Sequence, residues 1–397
     1  MRLPGRPELG QLTYCTNIHA GESWPEVRDG LHAHLPAIKA EVAPSQPLGV
    51  GLRLSAAAAE ALAEPEAFAE LRQLLDDGGY YVFTINGFPY GTFHGSRVKE
   101  GAYRPDWSEP ARLAYSNRLA DLLAALLPDG LDGSVSTVPG TFKPWADGRV
   151  ETIADNLIAH VAHLVRLRAD SGRTVTLALE PEPCCLLETI AETVAFFESA
   201  LYAPAAVARL AALTGLSPAE AEAALRRHLG VCYDVCHAAV EFEDPAASVA
   251  ALRKAGIPIL KLQLSSALKV ASVDAAVAER LRAFDEPVYL HQTVQRRHGT
   301  LTRYLDLAEA LAALDDAVGS EWRTHFHVPI FLADMEAFAT TQDFLREILA
   351  LHRRQPVSEH LEVETYTWDV LPAQYREVGV SAAIARELAW VVQELGQ

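Results

Sequence analysis

The stretch TVTLALEPEP, residues 174–183, changes character at every step. Thr176, Ala178, Glu180 and Glu182 share one face of an extended chain, and Val175, Leu177 and Leu179 share the other, because successive strand side chains point to opposite sides. The same split recurs in three more runs. In PILKLQLSS (258–266), Lys261, Gln263 and Ser265 oppose Leu260, Leu262 and Leu264; in LEVETYTW (361–368), Glu362 and Glu364 oppose Leu361 and Val363. In GVCYDV (230–235), Cys232 and Asp234 oppose Val231, Tyr233 and Val235. A barrel strand buries its outward face under helices, so that face must be apolar and the polar set must point inward.

Further β-like runs are LTYCTNIH (12–19), LGVGLRLS (48–55), YYVFTIN (80–86), GSVSTVP (133–139) and THFHVPIF (324–331). Helical stretches with clear punctuation lie between most of them. Ser217-Pro218-Ala219-Glu220 reads as a capping box with proline at the first helical position, and Gly230 is expected to stop that helix. Asp244-Pro245 starts the next helix and Gly256 ends it. Strand–helix alternation repeated about eight times predicts one α/β domain over residues 1–397, a single (β/α)8 TIM barrel. No GxGxxG follows the first strand and no GxxxxGK[ST] occurs, so neither a dinucleotide fold nor a P-loop is supported. Nine strands are one too many, and THFHVPIF is expected to pair with VYLHQTV (288–294) as a hairpin inserted before strand 8. The segment NGFPYGTFHGSRVKEGAYRPDW (86–107) is a long loop after strand 3, and loops of that length in compact domains usually serve function.

Composition narrows the partners. Half of the residues are hydrophobic and 22% are charged, as in a globular enzyme. A formal net charge of −18 repels nucleic acid and anionic membrane surfaces. There is no run of about 20 apolar residues for membrane insertion, and MRLPGRPELG at the N-terminus lacks the apolar core of a signal peptide. Five cysteines, an odd number, make no disulfide framework, so the reading is cytoplasmic with reduced thiols. Nothing in the sequence specifies an oligomeric state.

Inward carboxylates are costly unless compensated. Glu180, Asp234 and Glu364 converging at strand ends would repel one another, and a divalent cation resolves this. The competing reading pairs these acids with Lys261, Arg53 or another base inside the barrel. Cys232 and Cys236 are spaced C-x3-C, unlike a zinc knuckle, and Cys184 and Cys185 are adjacent, so the thiols read as buried and inert.

With these residues located, the chain resembles the xylose-isomerase-like TIM barrels, the superfamily of sugar isomerases, epimerases and dehydratases. The matching motifs are LALEP, CYDVCH, KLQLS and LEVET. The resemblance implies Glu180, Asp234, Gln263 and Glu364 as ligands of one divalent metal ion (Mn, Mg or Zn), with His237 contacting substrate. Glutamine in KLQLS is more similar to the inosose and dehydroshikimate dehydratase branches than to the ketose epimerases. Closer in, LTYCTNIH, TINGFPYGTFH, VKEGAYRPDW, LALEPEPCCLLET and HFHVPIF resemble the "metabolite traffic protein" EboE family, over nearly the whole chain.

The resemblance implies that Glu180 and Glu364 also act as the acid–base pair on either side of a small polyol or carbonyl substrate, such as a sugar, cyclitol or shikimate-like ring. The metal would polarise the substrate carbonyl. Isomerisation, epimerisation and dehydration share that proton-abstraction step. The substrate-binding candidates are Glu182, His237, His19, Asn86, His94, Arg97, Lys99 and Lys261, with His291, His325 and His327 from the inserted hairpin. For Glu182 the alternative is an acid behind the ligands, for His237 a helix cap, and for His19 and Asn86 a loop cap. For His94, Arg97 and Lys99 the alternative is a solvated charge group. His325 and His327, at i and i+2, could instead chelate a second metal or simply pack. Among Phe88, Tyr90, Phe93, Tyr103 and Trp107, one or two are expected to shield the site. Two rivals stand beside the enzyme: a non-catalytic metabolite carrier, and a metal-dependent hydrolase similar to the endonuclease-IV-like branch.

Overall fold

Eight parallel strands close around one axis in the computed structural model of the chain, which describes residues 1–376 and 378–396. They are β1 (Gln11–Tyr14), β2 (Leu48–Arg53), β3 (Tyr80–Asn86), β4 (Gly133–Thr137), β5 (Val175–Leu179), β6 (Leu229–Asp234), β7 (Ile259–Leu264) and, after a long insertion, β14 (His360–Val363). The order is β1-β14-β7-β6-β5-β4-β3-β2, each pair parallel. The seam between β1 and β2 is closed by a bridge from Cys15 to Gly51 and by threonine hydroxyls. Thr13 Oγ1 donates to Gly49 O at 2.8 Å and accepts from Gly51 N at 2.9 Å, and Thr16 Oγ1 accepts from Arg53 N at 2.8 Å. The strand order makes this a (β/α)8 barrel.

The period-two pattern is what the barrel uses. Leu177, Leu179, Leu262, Leu264 and Leu361 are fully buried on the outward face, beneath the helices. Each such leucine contributes roughly 1.5–3 kcal/mol by leaving water. Helix Pro218–His228 starts with the Ser217–Glu220 capping box, and helix Pro245–Ala255 starts on the Asp244 carboxylate and ends on Gly256 at φ 68°. Gly230 does not stop a helix. It lies inside β6, where a Cβ would meet Pro258 O at 2.3 Å, so glycine is there to let β6 and β7 approach.

The insertion before the eighth barrel strand is larger than a hairpin. Strands β8 (Leu268–Val270), β9 (Thr293–Arg297), β10 (Thr300–Tyr304), β11 (Glu321–Thr324), β12 (Asp334–Met335) and β13 (Phe338–Thr340) form an antiparallel sheet ordered β10-β9-β11-β8-β13-β12. The expected strand THFHVPIF is strand only at Thr324, which pairs with Thr293. From His325 the chain runs as an irregular strap, because its backbone groups are taken one at a time by different elements. His325 N donates to Gln292 O, Val328 N to Ser266 O and Ile330 N to Glu387 Oε1, while His291 Nδ1 sits 2.9 Å from His325 O. Pro329 has no donor to offer. Among the described residues no single helix is long and apolar enough to cross a membrane.

Candidate metal centre

Two layers of polar side chains fill the barrel interior at the C-terminal strand ends. In the lower one, Lys261 Nζ lies 2.6 Å from Glu362 Oε2, with both side chains fully buried, and Ser136 Oγ accepts from Lys261 Nζ at 3.2 Å. Gly51 makes room for this pair, since a Cβ there would lie 1.8 Å from Glu362 Oε1. Burial disfavours the Lys261 ammonium, but the Glu362 carboxylate beside it more than offsets that and raises its pKa.

One inward position further along, the chemistry changes. Glu180 follows the last residue of β5, Asp234 ends β6, Gln263 lies in β7 and Glu364 follows β14. Glu180, Asp234 and Glu364 each place one carboxylate oxygen within 4.8 Å of the other two, and all are buried. Asp234 and Gln263 are register partners across β6 and β7. Asp234 Oδ1 accepts from Ser265 Oγ at 2.7 Å and from His237 N at 3.0 Å, and Glu364 Oε1 accepts from Asn17 Nδ2 at 2.7 Å and Asn86 Nδ2 at 3.0 Å. Asp234 Oδ2, Glu180 Oε2 and both amide atoms of Gln263 are buried with no hydrogen-bond partner.

Burial, then the charges of Glu364 and Asp234, push the Glu180 carboxyl well above its ordinary range. Glu364 is raised by burial and by the neighbouring acids Asp234 and Glu362. Four buried carboxylates thus share the barrel interior with a single ammonium, and leaving a buried charge uncompensated costs several kcal/mol. Three clustered carboxylates and a neighbouring amide, with unpartnered atoms on Glu180, Asp234 and Gln263, are a donor set that fits a divalent cation.

Above the carboxylates stand three imidazoles. His237, His325 and His327 are all at most 5% exposed. His325 Nε2 is 3.1 Å from both His237 Nε2 and His327 Nε2. Burial holds His327 down to about 4 and His325 well below the usual histidine range. Glu182 stands beside them; its Oε1 accepts from Tyr103 Oη at 2.7 Å and Gln292 Nε2 at 3.1 Å, and burial raises its carboxyl.

These groups open into a cavity of about 500 Å³. Glu180, Glu182, Glu364, His237 and His325 line its floor, with Asn17 and Asn86 beside them. Its roof is aromatic: Phe88, Phe93 and Tyr103 come from the long loop after β3, Tyr289 from the insertion and Tyr366 from the turn after β14. The loop is fastened to the insertion, since Val98 N and Lys99 N donate to Val288 O at 2.8 Å and Lys99 Nζ contacts Asp306 Oδ2 at 2.6 Å.

Other sequence candidates stand elsewhere. Lys261 is buried against Glu362 below the cavity. His19 bonds to Tyr14 Oη and stacks on His34, away from the cavity. His94 braces the roof, with Nε2 2.6 Å from Asn17 O and Nδ1 3.0 Å from Tyr289 Oη. Arg97 is exposed. His291 is fully buried behind the strap, between Glu286 Oε1 at 2.7 Å and His325 O. Tyr90 packs edge-on against Tyr115, and the Trp107 indole donates to Thr137 Oγ1 at 3.0 Å, so both anchor the loop. Tyr289, Gln292 and Tyr366 escaped the sequence reading. Tyr366 lies two residues past Glu364, and its neighbourhood in LEVETYTW is the one signal that could have found it.

No family model matches the chain, and no curated protein matches it. Among solved structures it is similar to the probable 3-DHS dehydratase AsbF of Bacillus anthracis, at 13% identity and a TM-score of 0.43, over 96% of this chain and 97% of that one. It is also similar to a xylose isomerase domain protein from Alicyclobacillus acidocaldarius, at 14% identity and 0.45, over 97% and 100%. A third likeness is to the IOLI protein with a zinc atom, at 11% and 0.43, over 97% of each chain. The barrel assignment rests on the strand order and register above, and these scores add nothing to it.

Proposed function

We propose that the chain is a divalent-metal-dependent isomerase, epimerase or dehydratase of a small polyhydroxylated carbonyl compound. The observation that carries this is the clustering of the Glu180, Asp234 and Glu364 carboxylates at the pocket, with unpartnered buried atoms on Glu180, Asp234 and the adjacent Gln263. Those four residues would hold the cation, which when bound polarises a substrate carbonyl and stabilises negative charge that develops on it. Glu180, as the carboxylate, would accept the proton beside that carbonyl, and Glu364, as the protonated acid, would donate its own proton to the intermediate; Asn17 and Asn86 fix the orientation of Glu364. The aromatic roof excludes water, and Glu182 and His237 face the substrate. All five cysteines are free, in keeping with a reduced, cytoplasmic setting. The reading keeps the xylose-isomerase-like and EboE-like resemblances, which rest on the sequence blocks quoted above.

The test is metal analysis of the wild type beside Glu180→Gln and Asp234→Asn, followed by a screen of sugars and cyclitols for deuterium uptake from solvent. Stoichiometric metal that is diminished in both variants, with deuterium uptake by one substrate class, supports the reading. Wild-type protein that takes up no divalent metal in metal-replete buffer overturns it. Metal and ligand binding without exchange on any compound identifies a carrier.

A further inference from the structure

The histidine cluster has an internal logic of its own. Each ring nitrogen that faces away from the centre meets an oxygen that can only accept. His237 Nδ1 is 2.9 Å from Pro181 O, His327 Nδ1 is 2.9 Å from Glu364 O, and His325 Nδ1 is 2.7 Å from Gln292 Oε1. The Gln292 amide cannot be turned round, because its Nε2 already serves Glu182 Oε1 at 3.1 Å and Pro183 O at 3.2 Å. All three Nδ1 atoms therefore carry the hydrogen, and all three Nε2 atoms present lone pairs. Those lone pairs face one another, with His325 Nε2 3.1 Å from each of the other two. Tyr366 Oη, 3.3 Å away, can donate to His325 Nε2, but the contacts of the other two Nε2 atoms include no such donor, and acceptors at that distance repel unless a cation lies between them.

We propose that His237, His325 and His327 are the imidazole ligands of a second divalent-metal site, of the type that takes zinc. Ring nitrogens bonded outward to carbonyl groups are the arrangement that fixes the tautomer and aim of metal-binding histidines. In tetrahedral zinc sites, with Zn–N near 2.0–2.1 Å, ligand nitrogens stand about 3.3 Å apart, close to the separations of His325 Nε2 from His237 Nε2 and from His327 Nε2. Asp234 supplies the fourth donor: its Oδ2 has no hydrogen-bond partner, lies 4.0 Å from His237 Nε2, and Asp234, His237 and His327 offer donor atoms within 4.8 Å of one another. Asp234 also belongs to the carboxylate set, so it is the link between the two sites. His325 and His327 come from the strap of the insertion, so the second site exists only because that insertion folds back over the barrel mouth. Two cations side by side would recognise neighbouring oxygens on one molecule, which sharpens the substrate to a compound with adjacent hydroxyl and carbonyl oxygens. The inference rests on the proposed function only through the shared Asp234.

The experiment is metal content per chain after equilibration with Zn²⁺ and Mn²⁺, with X-ray absorption at the zinc edge to count imidazoles. It uses wild type, Glu180→Gln, the His325→Gln/His327→Gln double variant, and Gln292→Leu. The wild type is expected to hold two ions, with imidazole scattering at the zinc. The double histidine variant should keep one ion and lose that scattering. Glu180→Gln should keep the imidazole-bound zinc, and Gln292→Leu should weaken it about 10- to 100-fold, since it removes the acceptor behind His325 Nδ1, together with a hydrogen bond to Glu182. Wild-type protein with a single ion and no imidazole scattering overturns the second site and leaves the carboxylate site standing. A single imidazole-bound ion that Glu180→Gln does not disturb overturns the carboxylate site instead and supports this one. Wild type with no bound metal overturns both.

Discussion

Lys261 and Gln263 are two residues apart on one strand, as Glu362 and Glu364 are on its neighbour, and all four side chains point into the barrel. The lower pair of positions balances its own charge: ammonium and carboxylate are 2.6 Å apart and fully buried, although Glu362 Oε1 has no hydrogen-bond partner. The upper positions do not: Gln263 has no hydrogen-bond partner, and Glu364 faces Glu180 and Asp234, two more acids. One inward step along the strands therefore separates a carboxylate that has an ammonium partner from three carboxyl groups that have none, the set proposed above to hold a cation.

The sharpest way to break the comparison is to disable each layer separately. Glu180→Gln is expected to cut solvent-deuterium exchange into substrate by about 10²–10⁴-fold, the range for losing a general base, with little change in folding. Ser136→Ala in the lower layer should leave exchange near wild type. Equal losses from both would erase the distinction. The converse effect is on stability. Lys261→Met strands the Glu362 carboxylate in a dry interior and should cost about 3–5 kcal/mol in urea unfolding, most of it recovered in Lys261→Met/Glu362→Leu. A single Lys261 variant as stable as wild type would show that the lower pair is not a compensated unit.

A smaller effect concerns ligand linkage. Adding Zn²⁺ or Mn²⁺ to chelator-treated protein should stabilise it by about 2.7 kcal/mol at one hundred times Kd. Asp234→Asn should remove most of that gain, and the doubly substituted lower layer should keep it. The smallest is a pH dependence. Glu180 and Glu364 have carboxyls raised above their unfolded values by burial and by the charges of neighbouring acids, Glu364 and Asp234 for the first and Asp234 and Glu362 for the second. Their contribution to stability is therefore fully present below the unfolded carboxylate pKa and is lost as pH rises through the raised folded values. Chelator-treated wild type should lose stability on going from mildly acidic to neutral pH more steeply than Glu180→Gln does. Lys261, whose pKa is raised, adds no slope in that window. Matching slopes in the two proteins would remove Glu180 from the account.

The parity of TVTLALEPEP, GVCYDV, PILKLQLSS and LEVETYTW was enough to place Glu180, Asp234, Gln263 and Glu364 on the inward face, because a strand's period of two is local and does not depend on its neighbours. The same reasoning put His325 and His327 on one side of their segment, and they do converge, although the segment is a strap and not a strand. What parity could not supply was depth. Lys261 and Gln263 look alike in sequence, and only the register across β6, β7 and β14 shows that one meets Glu362 and the other the open end. His19 and Arg97 were placed by strand-end position and loop membership, neither of which fixes where a side chain goes after the chain turns.

By itself the sequence determined the barrel, its apolar exterior and the acidic character of its mouth, since these follow from periodicity and composition. The tertiary structure alone decided that the insertion is a six-stranded sheet and that Tyr103 and Gln292 hold Glu182. It alone decided that His237 meets His325, with their Nε2 atoms 3.1 Å apart. These two residues are 88 positions apart, and pairing across such a separation is set by how the whole chain closes, which no local pattern encodes.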